Sequence, residues 1–521
     1  MSETTTAEKA IDQGHASSES ASFVDVERNV PAPQDAVASA VAEIAAKTSV
    51  KKGTKTSFSI WSKIYYTSIP CFLAYLITFS ASVVAPATTT FMAEFHVSRT
   101  VALLSGTVYL LGLSFGPMFL APISELVGRR WLYVVTSASI VVFAAGAGAC
   151  HTFAGFLVCR FLCGFFGSSG IAIGAGTIFD VWGLTKARGL ATLLFIYGPF
   201  MGPSMGPLAG AYIMHEHGGD WRWTQWLIAL IGAPIFVLIL FMKETSTTRV
   251  QGGGHNDKKK SWLGVAGQAV SLLQAAVVRS TTMLTTEAIA FSITLYTGYA
   301  YAVVFSFFAS GSYVFLVDYG FDERQVGLVF LGVFVGYVLA AVLHIVVEKT
   351  LYARAERLAP AGQRPAPEHR LYSAMAGSIF LPIGLFWYAW SSRPGGGNWA
   401  VVAASGIPFG IGAFVLFLSS IMYLVESYGP SASASALAAN GSIRYMLGAV
   451  FPLFTIQMYE TLGVHWAGSV FAFLSLALLP IPWLLFKYGH KLRQNSRFVP
   501  ASATTAPAVT ATATTAPATT A

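Results

Sequence analysis

Two arginines stand inside otherwise apolar runs: Arg160 in LVCRFLCGFFGSSG and Arg444 in ANGSIRYMLG. A guanidinium held in lipid costs about 3 kcal/mol on insertion scales, so each should face a cavity or a partner. The plainer alternative is an arginine that snorkels to the interface or caps the carbonyls of a neighbouring helix. No Asp or Glu lies as deep as these two residues. A cavity biased in this way would attract a carboxylate and repel a polycation, which favours an organic acid or an acidic secondary metabolite over polyamines among the secondary metabolites, organic acids and drugs that a small-molecule carrier takes; the alternative is that both arginines are structural. Glu287, Glu426 and Asp180 each lie close to the end of an apolar run, on the side expected to be cytoplasmic. They are the residues available to carry protons.

A second group reads GPMFLAPISELVGRR from Gly116 to Arg130. Glu125, Gly128, Arg129 and Arg130 make a tight turn with one acid and two fixed cations, and Asp180 is the natural partner of that pair. Such ion pairs can lock one arrangement of a bundle and release another; the alternative is an ordinary basic loop at a membrane edge. A third group, GPFMGPSMGPLAG, carries Gly198, Gly202, Gly206 and Gly210 at four-residue spacing, with Pro199, Pro203 and Pro207 beside them. Glycines so spaced form a groove that admits another helix backbone, and each proline removes a helical hydrogen bond.

The elements that must position these groups follow from composition. Of 521 residues, 54% are hydrophobic and only 11% charged, and mean hydropathy is +0.60. A soluble domain carries roughly a quarter charged residues. A bilayer span needs about 20 apolar residues, and twelve such segments can be counted, six before a polar stretch and six after it. The fold class is therefore an all-α membrane protein with twelve transmembrane helices in two six-helix bundles. The first span is read as 68–91, the seventh as 288–317 and the twelfth as 464–487.

The expected organisation is a disordered cytoplasmic N-terminal region (1–65), an N-terminal bundle (66–242) and a cytoplasmic linker (243–286). A C-terminal bundle (287–488) and a disordered Ala/Thr/Pro tail (489–521) complete it. Within the linker, residues 261–280 read as an amphipathic helix lying on the membrane surface. Most of the 32 Lys and Arg residues fall on one side if both termini are cytoplasmic. The net charge of +8 is then a topology signal, and nucleic acid is not an expected partner.

The three motif groups together resemble the major facilitator superfamily, and within it the twelve-span drug:proton antiporters of fungi. The family's loop pattern G-x-x-x-D-R-x-G-R-R is met by Gly128, Arg129 and Arg130, with Glu125, Ala121 and Leu126 replacing its Asp, first Gly and first Arg. Its fourth-span pattern R-x-x-Q-G is met by Arg160 and Gly164, with Cys163 in place of Gln. Its fifth-span pattern G-x-x-x-G-P-x-x-G-G, a mark of exporters, is met by Gly198, Gly202, Pro203 and Gly206, with Pro207 replacing the last Gly. PEHRL from Pro367 and LGVHWA from Leu462 read as the fungal branch does. The resemblance implies rocking of two bundles about a midplane site, export in exchange for protons, a plasma-membrane location and a monomer. The family's frequent first-span carboxylate is absent here, which leaves proton coupling to Glu287, Glu426 or Asp180.

Other chemistries are disfavoured. Gly112, Ser114 and Gly116 fit G-x-S-x-G but lie in an apolar helix rather than a strand-turn-helix elbow, so a hydrolase is not expected. His215, Glu216, His217 and Asp220 share a short loop that reads as solvated rather than metal-binding. Cys71, Cys150, Cys159 and Cys163 all sit in apolar stretches without a disulfide framework or zinc spacing. No G-x-x-x-x-G-K-[ST] loop occurs, so ATP-driven pumping is excluded as an intrinsic activity. The expectation is a transporter with no enzymatic activity, cofactor or metal, working on a small molecule and protons within the lipid bilayer. Uptake rather than export, and a transporter-like receptor, are the rival readings.

Overall fold

The computed structural model describes residues 58–183, 187–245, 273–274, 277–360, 365–393 and 397–499, the side chains of 125, 126, 430 and 431 aside. Most of the N-terminal region, most of the linker helix expected at 261–280 and most of the tail therefore lie outside the described residues.

Among the described residues, twelve helical segments long enough to span a bilayer follow one another. In the first half these are α1 (Ile60–Ser82), α2 (Arg99–Val127), α3 (Arg129–Gly148), α4 (Phe153–Gly167 continuing as Ser169–Trp182), α5 (Ala187–Glu216) and α6 (Arg222–Leu240). In the second half α7 is Ala288–Val317, α8 Leu331–Val347 and α9 Tyr372–Ser391. The helical stretch Gly406–Leu478 is broken by non-helical backbone at Gly429 (φ 63°) and Gly463 (φ 74°). Glycine tolerates this left-handed region without the steric penalty of a Cβ, so the stretch divides into α10 (406–428), α11 (430–462) and α12 (464–478, continuing as Pro480–Gln494).

The boundaries differ from the sequence reading at both ends of the chain. α1 starts at Ile60 and stops at Ser82, after which Ala85–Ala87 forms a 3-10 turn and Thr88–Phe95 a separate short helix. The apolar run continues across this turn, so hydropathy alone merges the three pieces. At the other end the helix runs on to Gln494, beyond the expected start of the tail. Side chains fix several helix starts: Ser98 Oγ accepts from Val101 N–H at 3.4 Å, and Thr152 Oγ1 from Gly155 N–H at 3.3 Å.

Packing within each half rests on small residues. A Cβ on Gly164 of α4 would stand 2.2 Å from Tyr109 O of α2, and one on Gly112 of α2 would stand 2.4 Å from Phe161 O of α4. The G-x-S-x-G glycines Gly112 and Gly116 therefore serve helix contact. In the second half Gly336 of α8 meets Gly410 of α10 in the same way, with a Cβ 3.0 Å from its Cα. The halves meet along α2 with α11 and α5 with α8. Thr107 Oγ1 donates to Ala449 O at 2.9 Å, and Ser114 and Ser442 exchange hydroxyl-to-carbonyl bonds of 2.8 and 3.1 Å.

Candidate functional site

The two membrane arginines occupy different environments. Arg160 is fully buried among α1, α2 and α4, where its Nε donates to Ser105 O at 3.2 Å and a terminal nitrogen to Ser80 Oγ at 3.1 Å. Its guanidinium lies 4.3 Å from the Tyr109 ring centroid, and its Nη2 finds no acceptor among the described residues. It ties one half together. Arg444, on α11, is 4% exposed and among the described residues is held by rings: Tyr445 at 4.2 Å, Tyr301 at 4.6 Å and Phe417 at 4.7 Å. Tyr301 and Phe417 also border a gap where Phe200 of α5 meets α7 and α10. The gap is too narrow to admit a water molecule, so the halves are closed around it.

The face from which the linker connects α6 to α7 carries two ionic clusters. In the first half Arg129 Nε donates to Asp180 Oδ2 at 2.6 Å, with side chains 17% and 9% exposed. The Arg129 guanidinium lies against Gly176, where a Cβ would come within 2.6 Å of it. Gly128, with φ 99°, makes the turn from α2 into α3. The Glu244 carboxylate then accepts from the backbone N–H of Arg129 (3.0 Å) and Arg130 (3.3 Å), which places a negative charge at the positive end of α3. Arg130 also donates to Leu240 O at 3.2 Å. The side chain of Glu125 lies outside the described residues.

In the second half Arg370 bridges Glu426 (2.8 Å) and Glu348 (2.7 Å), with its guanidinium 3.8 Å from the Tyr352 centroid. Glu426 is thus a partner in an ion-pair network at this face. Glu287, just before α7, is buried; its carboxylate accepts from Tyr428 O–H at 3.3 Å and from Arg497 N–H at 3.2 Å. Asp180, Glu426 and Glu287 are not brought together with Arg160 or Arg444 in one cluster.

The glycine-proline run of α5 lies against α1. A Cβ on Gly202 would stand 2.2 Å from Thr78 Oγ1 and 2.4 Å from Phe79 N, and one on Gly206 2.0 Å from Ser82 Oγ and 2.8 Å from Val83 N. Gly198 and Gly210 meet Cys71 O and Val83 O at 2.9 and 2.1 Å. Pro203 sits within this contact and is fully packed.

The sequence matches the family model of the Major Facilitator Superfamily over residues 71–452. The chain belongs to this superfamily. Among its relatives in the superfamily are the MFS-type transporter traF of Penicillium crustosum and the efflux pump FUB11 of Gibberella moniliformis. The first is 35% identical and covers 85% of this chain and 90% of its own. The second is 34% identical and covers 85% and 75%. Polyamine transporter 4 of Saccharomyces cerevisiae is 31% identical, covering 85% and 71%. The fold matches the major facilitator proton:xylose symporter XylE with a TM-score of 0.58 over 83% of this chain and 96% of that one, at 12% identity. The protein is a multi-pass membrane transporter with no enzymatic activity, and superfamily transporters of this kind bind small molecules.

Several residues of this transporter's polar framework escape sequence reading. Glu244, Glu348 and Arg370 complete the two clusters above, and Glu368 forms a buried two-bond pair with Arg493, both contacts at 2.9 Å. On the opposite face Arg99 reaches Glu460 at 2.7 Å across the halves. The motif PEHR did carry a signal: a proline-led turn with Glu368 and Arg370 two residues apart sends one charge into each of two different ion pairs.

Proposed function

We propose that this transporter exports a small organic compound from the cytoplasm by alternating access, in exchange for protons. The observation that carries the reading is the closed gap between the halves, bordered by the aromatic cage of an arginine that has no hydrogen-bond partner among the described residues. A transported molecule with acceptor oxygens would supply what Arg444 lacks. The efflux pumps among the relatives, and the glycine-proline contact between α5 and α1, support the outward direction. The yeast relative's name points to polyamines, but a gap bordered by the ring cage of Arg444, with no carboxylate as deep in the spans, repels a polycation, so we assign an anionic substrate.

Proton exchange is assigned to Glu287. Asp180 and Glu426 are each bound by an arginine, whereas Glu287 accepts only from a phenol and a backbone N–H among the described residues. Arg129, Arg130, Gly128, Glu125 and Asp180 act as a latch on the linker face, and Gly198, Gly202, Pro203 and Gly206 seal the first half. We read the linker face and both termini as cytoplasmic, a reading that the distribution of basic residues supports, with the plasma membrane as the location and the monomer as the working unit. Uptake into inside-out vesicles, with and without an imposed pH gradient, tests the reading. Accumulation should require an acidic interior and fall to the gradient-free level in Glu287→Gln. Accumulation unaffected by collapsing the gradient overturns proton exchange, and uptake only into right-side-out vesicles overturns export.

A further inference from the structure

The wall around Arg444 has a surplus of donors. Among the described residues, the Arg444 Nε and the hydroxyls of Tyr301 and Tyr445 are buried without a hydrogen-bond partner, and so is the hydroxyl of Tyr337, whose ring packs 5.3 Å from Phe200. The amide of Asn440, one turn before Arg444, is already spent on Thr297 at 2.7 Å. Buried polar groups in folded proteins are almost always satisfied, and a cluster of orphaned donors marks the place of an absent acceptor. That acceptor does not come from a carboxylate of the spans, since every Asp and Glu of the chain lies at a span end or beyond it. The cost of an unpaired guanidinium falls when an anion comes to it, and phenol donors beside it would share the anion's charge.

The rest of the wall is aromatic. Phe200 lies 5.2 Å from both Phe414 and Phe417, and Tyr301 5.4 Å from Tyr445, and the small side chains of Ala300 and Ala413 line the gap beside them, which is closed in this arrangement and must widen to take a ligand. Rings in such a wall prefer offset or edge-on contact with another flat ring, and an aliphatic body of equal size forgoes that contact. Phe200 belongs to the first half and the others to the second, so a ligand seated here touches both halves and is sensed by their closure.

We propose that the gap is a site for an aromatic monocarboxylate, its carboxylate accepting from Arg444, Tyr301 and Tyr445 and its ring lying among Phe200, Phe417 and Tyr337. The proposal rests on reading the gap as the substrate site, but on neither the direction of transport nor its proton coupling.

The test is equilibrium binding of radiolabelled 2-naphthoate to the purified full chain in nanodiscs, at one pH and without a gradient. Benzoate, cyclohexanecarboxylate, benzyl alcohol and benzylamine serve as competitors. Naphthoate should bind saturably, benzoate should compete about tenfold better than cyclohexanecarboxylate, and benzylamine should not compete. Arg444→Ala should weaken naphthoate at least about tenfold, and Phe417→Leu should erase the preference for benzoate over cyclohexanecarboxylate while keeping the need for a carboxylate. Tyr301→Phe, which keeps the ring and removes one donor, serves as a further variant should Arg444→Ala fail to fold, and it should weaken naphthoate severalfold. Absence of naphthoate binding, equal competition by benzylamine or cyclohexanecarboxylate, or unchanged affinity in a folded Arg444→Ala or Tyr301→Phe protein overturns the proposal. Gradient-driven export can survive each of those results. Conversely, binding as described together with transport indifferent to pH would overturn coupling alone.

Discussion

Arg160 and Arg444 look equivalent in the sequence, each a single cation in an apolar run, and the fold separates them by what surrounds each guanidinium. Arg160 donates to Ser80 and to the Ser105 carbonyl and rests on Tyr109, so three helices of one half converge on it. Its removal orphans those groups in the core. Arg160→Ala should lower the melting temperature by several degrees and reduce the amount of folded protein, because breaking a buried charged network costs about 3 kcal/mol. Arg444→Ala releases only ring contacts and should keep its melting temperature within a degree or two of the wild type; thermal unfolding of both variants in detergent distinguishes them. A similar contrast applies to Asp318, past the end of α7, where burial raises the carboxyl above its ordinary pKa and leaves Oδ2 without a partner. A raised folded-state pKa means that the native chain binds the proton more tightly than the unfolded chain, so stability falls as pH rises through that range. Asp318→Asn should therefore gain melting temperature over the wild type at pH 7 and lose the advantage below about pH 4, where both states of the wild-type residue are protonated.

At the scale of helices, the contact between α5 and α1 is the one most tightly fixed by residue size. Adding a methyl at Gly202 brings it within 2.4 Å of the Phe79 backbone nitrogen in α1, and at Gly206 within 2.8 Å of the Val83 nitrogen that caps α1, which no rotamer change can relieve. Gly202→Ala and Gly206→Ala should each cost about 1–3 kcal/mol by overpacking. Gly189→Ala, at the open start of the same helix, should be neutral or slightly stabilising, since nothing stands within 4 Å of its Cβ. Equal melting temperatures for Gly202→Ala and Gly189→Ala would count against the packing account. This contact was legible in the sequence because it depends on spacing alone: glycines four apart share a helix face. The spans were legible for a related reason, since each reads as an apolar run of spanning length, the fifth diluted by its glycines and prolines. The turn after α1 was hidden because Val83, Val84 and the alanines around Pro86 continue the apolar run through it. Ion-pair partners were hidden for another reason. Arg370 finds Glu426 from 56 residues away and Glu368 finds Arg493 from 125 residues away, and hydropathy shows which span ends carry charge but not which ends meet.

Across the whole molecule the polar ties described between the halves begin near the membrane middle, at Ser114 with Ser442, and continue to the face opposite the linker. There Thr107 bonds to Ala449, Thr100 to Gln457, Thr89 to Glu323 and Arg99 to Glu460. On the linker face the ion pairs of Arg129, Arg370 and Arg493 each stay within one half. The molecule is thus pinned shut across the seam at one face, and braced within each half at the other. Rocking that opens the face carrying Arg99 must break the inter-half ties while leaving the intra-half clusters intact. Arg99 and Glu460 are each nearly half exposed, so their pair contributes only about 0.2–1 kcal/mol, too little to matter for folding but enough to bias two arrangements of similar energy. Glu460→Arg replaces the attraction with repulsion and should favour opening at that face by a factor of about two to five. A cysteine at Thr297, beside the gap, in a protein whose native cysteines are replaced by serine, reports the shift through its labelling rate with an impermeant thiol reagent added from that face. The rate should rise with Glu460→Arg and return to the starting value in Arg99→Glu combined with Glu460→Arg, because the restored pair closes the same seam. Labelling that ignores both variants would mean that the Ser114–Ser442 exchange and the apolar seam hold the face shut without help from the charges.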